Sequence, residues 1–184
     1  MRTKAYIFLL MIMVSIGLGY AQVSVTAFSK EDALHEKNIS KPRIFIKNTG
    51  TVPVSDFYCL YFFTAENGKT PVIEDYYTPY EYVSLKYLGN NRYAVRYDFK
   101  GVTLMPGQIF PDPNGNAIGI HYPGWEPLCK QNDESQNFSS DFVPNQNIAV
   151  FSSNGVKIKQ RFFRDHRYTS STYSYTLEFN HHRR

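Results

Sequence analysis

Tyr82-Val83-Ser84-Leu85-Lys86-Tyr87-Leu88-Gly89-Asn90-Asn91-Arg92-Tyr93-Ala94-Val95-Arg96-Tyr97-Asp98-Phe99 is the stretch that decides the fold class. From Arg92 to Phe99 a large apolar residue recurs at every second position, the period of a strand with one buried side. Tyr82 to Tyr87 is a second strand-forming run. Between them lies Gly89-Asn90-Asn91, residue types that tolerate the positive φ of a tight turn. Two such runs around such a turn predict a β-hairpin.

The same chemistry extends in both directions along the chain. Upstream, Val23 to Phe28 alternates. Arg43 to Lys47 follows a proline and ends at the turn residues Asn48-Thr49-Gly50. Phe57 to Thr64 is rich in aromatics and runs into Glu66-Asn67-Gly68. Downstream, Val102-Thr103-Leu104 meets Met105-Pro106-Gly107. Ala117 to Tyr122, Ile148 to Phe151 and Val156 to Ile158 complete the set. The expectation is an all-β sandwich or barrel of about eight or nine short antiparallel strands. Helical periodicity is nearly absent; Lys30 to Lys37 has room for a turn or two.

The first 21 residues read as an export signal. Arg2 and Lys4 form a basic start, Ala5 to Leu18 is apolar, and Gly19-Tyr20-Ala21 offers small residues for cleavage after Ala21. The apolar run is too short for a bilayer; the alternative is a buried helix. This divides the chain into a signal at 1–21, a sandwich at 22–161 and a C-terminal extension at 162–184, rich in Ser, Thr and Tyr and expected to be poorly ordered. No other apolar run is long enough to span a membrane. Secretion, without a membrane span once the signal is removed, is the expected localisation.

Net charge is +4, and the basic residues gather toward the two ends. A nucleic-acid groove needs them along one face, so nucleic acid is not an expected partner. Cys59 and Cys129 permit one disulfide in an oxidising compartment, and the sequence leaves that pairing open. Aromatics are abundant, with 15 Tyr, 14 Phe and one Trp. That Trp125 lies in Pro123-Gly124-Trp125-Glu126-Pro127, whose flanking residues place it in a loop.

In order along the chain, several segments resemble family 3 carbohydrate-binding modules. Pro42-Arg43-Ile44-Phe45-Ile46-Lys47-Asn48-Thr49-Gly50 is similar to their early strand and turn. Val54-Ser55-Asp56-Phe57 and Leu60-Tyr61-Phe62-Phe63-Thr64 are similar to the next strand. Tyr97-Asp98-Phe99 and Leu104-Met105-Pro106-Gly107 follow, and Trp125 stands seven residues before Asn132-Asp133 as the family's loop tryptophan does. The resemblance spans about residues 23 to 160. It implies a jelly-roll β-sandwich that binds cellulose or a related β-glucan, alongside a separate secreted cellulase or a cell-surface scaffold.

The resemblance also implies a binding face. Trp125 would be its platform, Asp75 would accept sugar hydroxyls, Tyr76 and Tyr80 would stack, and His121 stands near the family's binding-face arginine. Rings laid on the apolar faces of successive sugars, with polar groups between them, are how a neutral, flat chain is held. A structural calcium is implied at Thr64, Glu66, Asn132 and Asp133, oxygen donors on two loops as a hard cation requires.

No catalytic motif competes with this reading. Glu74 and Asp75 are neighbours that a strand would point to opposite sides, so they do not flank a glycosidic bond. Cleavage after Ala21 leaves Gln22, not a copper-binding histidine, at the mature N-terminus. The chain is therefore expected not to be an enzyme. The alternative function is a secreted structural or adhesive sandwich whose aromatics contact protein or fill the core.

Overall fold

Tyr93, Val95, Tyr97 and Phe99 all turn inward and are at most 8% exposed, as their alternation requires. They belong to a computed structural model that describes residues 21–66, 68–76 and 83–161. The expected signal (apart from Ala21), the expected extension and Tyr80 lie outside the described residues.

Eleven strands run through the described residues: β1 (Val25–Glu31), β2 (Ile39–Ser40), β3 (Pro42–Asn48), β4 (Val54–Thr64), β5 (Val72–Asp75), β6 (Val83–Gly89), β7 (Arg92–Leu104), β8 (Ile109–Phe110), β9 (Ile118–His121), β10 (Val143–Pro144) and β11 (Ala149–Ser152). A 3-10 turn occupies Lys130–Asn132. The strands form three sheets in the orders β10-β1-β3-β8, β11-β4-β7-β6 and β2-β9-β5. All named pairings are antiparallel. This is the jelly-roll β-sandwich.

Four strands were not expected: β2, β8 and β10 are two residues each and β5 (Val72–Asp75) is four, too short to show a period. Lys30 and Glu31 continue β1 as strand, and the chain then turns, so no helix forms there. Val102–Leu104 is not separate; it is the end of the 13-residue β7. Val156–Ile158 contributes a single bridge, Lys157 to Phe151. The hairpin forms as read: Gly89 pairs with Arg92, and Asn90 and Asn91 take φ of 51° and 60°. Both turn residues at positive φ match the right-handed twist of the flanking strands.

The core lies between the inner faces of the sheets. Ile44 and Ile46 of β3, Phe57 and Tyr61 of β4, Tyr97 of β7 and Ile120 of β9 are each 2% exposed or less. Asn48 anchors its turn: Nδ2 donates to the Val52 and Leu104 carbonyls at 2.9 and 2.8 Å, and Oδ1 accepts from Gly50 N–H at 2.9 Å. Both cysteines are free. Cys59 faces the core, where burial pushes its thiol up, while Cys129 Sγ donates to Gln131 Oε1 at 3.3 Å.

Candidate functional site

The small β2-β9-β5 sheet carries Asp75 and His121, two of the residues singled out in the sequence. Its register pairs Val72 with His121, Ile73 with Ile120, Glu74 with Gly119 and Asp75 with Ile118. Residues directly opposite one another share a side of the sheet. Ile73, Ile118 and Ile120 pack against the core. Glu74, Gly119 and His121 therefore occupy the outward side.

Tyr76 follows β5 and prolongs the ladder, its N–H donating to the Ala117 carbonyl at 3.0 Å. Its ring lies over Gly119: a Cβ there would stand 2.9 Å from Tyr76 Cε2 and 2.8 Å from Ile39 Cδ1. Only a glycine leaves the ring this seat. The Tyr76 hydroxyl donates to Glu74 Oε2 at 2.5 Å. Burial, and then the hydrogen bond to Glu74, push the phenol up to about 12. Tyr76 is 38% exposed.

Trp125 reaches the same side from the loop after β9. The chain turns at Tyr122-Pro123-Gly124-Trp125, closed by Trp125 N–H donating to the Tyr122 carbonyl at 2.9 Å. Trp125 takes φ 57°, the left-handed region. That turn lays the indole parallel to the His121 imidazole, with ring centres 3.9 Å apart and planes 11° apart. His121 is 4% exposed and Trp125 46%. One indole face is covered by the histidine while a large part of the ring meets solvent. His121 Nδ1 donates to the same Tyr122 carbonyl at 2.7 Å, so one acceptor holds both the loop and the ring beneath it.

The structure thus brings together Trp125, His121 and Tyr76. Asp75 is exposed at the end of β5, but its register places it opposite Ile118, on the side away from His121. Tyr80 is outside the described residues. Glu74 and Gly119 were missed by the sequence reading. A signal for Glu74 existed: it stands two residues before Tyr76, the spacing that returns to one side of a strand.

Of the four residues proposed for calcium, Thr64, Glu66 and Asp133 come together where β4 ends near the 3-10 turn. Asp133 Oδ1 accepts from Thr64 N–H at 3.0 Å. Glu66 Oε1 accepts from Cys129 N–H at 2.6 Å, and Oε2 from the Tyr122 hydroxyl at 2.5 Å. Asn132 is exposed at the end of the turn. Burial pushes the Asp133 carboxyl up to about 7; Glu66 and Glu31 add to this, against the Thr64 N–H and Lys130. The Glu66 charge beside the buried Asp133 carboxyl makes a site that suits a hard divalent cation in kind. No cluster of three or more His, Cys, Asp or Glu suited to a metal occurs among the described residues, so backbone carbonyls and water would supply the remaining donors.

A family model described as a cellulose binding domain, CBM_3, matches residues 24–159. The chain belongs to the CBM_3 family. It is a carbohydrate-binding module by that membership, and solved modules share its fold. The CBM3b module of the cellulosomal cellobiohydrolase 9A from Clostridium thermocellum is 22% identical, with a TM-score of 0.60 over 75% of this chain and 97% of that one. A CBM3 module of Hungateiclostridium clariflavum is 16% identical, with a TM-score of 0.61 over 77% and 99%. A family 3b module from a biomass-sensing system of Clostridium clariflavum is 14% identical, with a TM-score of 0.59 over 78% and 100%. Comparison with curated proteins gave no match. Among the described residues, no helix of this CBM_3 chain is long and apolar enough to cross a membrane.

Proposed function

We propose that the chain is an exported, non-catalytic module that attaches to cellulose or a related β-glucan through the outward side of the β2-β9-β5 sheet. One observation carries the reading: the indole of Trp125 lies flat on the buried His121 and keeps 46% of its surface exposed. A ring supported from below cannot fold back into the protein, so its open surface is available to the apolar face of a sugar. Tyr76 supplies a second exposed ring on the same side of the sheet. Each stacking contact contributes about 1 kcal/mol, so retention needs several in register.

A structural calcium belongs to the same proposal. Thr64, Glu66, Asn132 and Asp133 would hold it, and it would neutralise the Glu66 and Asp133 carboxylates where β4 meets the 3-10 turn. It takes no part in sugar contact. A secreted cellulase or surface scaffold is the partner such a module would accompany.

Co-sedimentation with microcrystalline cellulose tests the reading. Wild-type protein is expected in the pellet, with Trp125→Ala left in the supernatant and retention little changed by salt, because the ligand is neutral. Equal recovery with and without cellulose would favour the adhesive alternative.

A further inference from the structure

Glu74 is the polar group shared by the rings of the site. Its Oε2 takes the Tyr76 hydroxyl at 2.5 Å, and its Oε1 stands 3.3 Å from His121 Nε2. The imidazole can be oriented from both nitrogens. Nδ1 faces a carbonyl, which only accepts, so Nδ1 carries a proton. Nε2 is buried, makes no hydrogen bond, and stands near enough to Glu74 for the two to form an ion pair when the imidazole carries its second proton. The imidazole in turn supports the indole at 3.9 Å. One carboxylate therefore sets the plane of Tyr76 directly and the plane of Trp125 through His121.

We propose that Glu74 is the positioning residue of the carbohydrate platform, fixing Tyr76 and Trp125 in the arrangement a sugar chain meets. This rests on the cellulose reading above and deepens it. The assignment explains why the outward side of β5 carries a carboxylate there: its oxygens serve the rings beside it. A glutamine at 74 keeps this function. Its amide oxygen accepts from the Tyr76 hydroxyl, and its amide N–H donates to Nε2 of a neutral imidazole.

The test uses the mature chain and two readouts. Cellulose retention measures binding, and the emission of the chain's one tryptophan measures how the indole sits. Glu74→Ala is expected to weaken retention about tenfold, the effect of one charge-assisted hydrogen bond. It should also change the intensity and acrylamide accessibility of Trp125 emission, with the melting temperature held. Glu74→Gln should restore most of both. Full retention and unchanged emission in Glu74→Ala would overturn the proposal. So would Glu74→Gln binding as weakly as Glu74→Ala with wild-type emission, which would make the carboxylate a direct sugar contact. If wild-type protein itself is not retained, the cellulose reading fails, and the emission arm still decides whether Glu74 orients the rings.

Discussion

Glu66 and Glu74 each accept a tyrosine hydroxyl at 2.5 Å, yet the two pairs do different work. At Glu66 the partner, Tyr122, is 3% exposed. Its hydroxyl also accepts the Glu66 N–H at 2.8 Å, and the other carboxylate oxygen takes Cys129 N–H. That closed ring of bonds ends largely on backbone groups and ties one chain segment to another. At Glu74 the partners are the tips of two side-chain rings, one of them open to solvent. The same acid thus locks a junction in one place and presents a surface in the other. What differs is the partner's burial.

The largest effect should come from breaking the buried pair. Glu66→Ala strands the Tyr122 hydroxyl and the Cys129 N–H, and should lower unfolding free energy by about 3 kcal/mol, read by chemical denaturation. Retention on cellulose per folded molecule should hold.

Next is Asp133, whose carboxyl is raised from 3.8 to about 7 in the folded chain. A raised group contributes stability that is complete below its unfolded value and is lost as pH rises through the folded one. Melting in the presence of chelator should therefore fall between about pH 4 and 7, and Asp133→Asn should flatten that slope. If calcium binds there, adding it should recover the loss at the upper end of the range. An unchanged melting temperature after chelation, and again after excess calcium, would set calcium aside.

At the surface pair the effects are on binding. Trp125→Ala should remove about 2 kcal/mol of binding while moving stability by about 0.5 kcal/mol or less. Gly119→Ala, whose Cβ meets the Tyr76 ring, should displace that ring and weaken retention by a few-fold. Tyr76→Phe, which keeps the ring but frees Glu74, should have the smallest effect, under about 1 kcal/mol.

Much of the fold was legible because its long strands alternate: β7 and its turn read directly from Arg92 to Phe99. β4 was read only as an aromatic-rich strand with no side assigned, and it buries Phe62 outward as well, at 7% exposure, with Arg92 5.0 Å from its ring centre. β2, β8 and β10 are two residues long and exist through their partners, which no local pattern announces. The same limit governs the site. Trp125 was marked by its own Pro and Gly flanks. Glu74 has only its spacing from Tyr76 as a local mark; its role appears once β5 is registered against β9, a pairing across more than forty residues of chain. The family resemblance put Asp75 and Tyr76 on one face, and a strand separates neighbours.

The φ of 57° at Trp125 has an evolutionary corollary. A bulky residue held in that region costs about 1 kcal/mol that glycine or asparagine would not. Selection for foldability alone would erode the indole in favour of either. Lineages that have given up the ligand should show Gly or Asn at this position, so the residue found there in each homologue is a record of whether the surface is still in use.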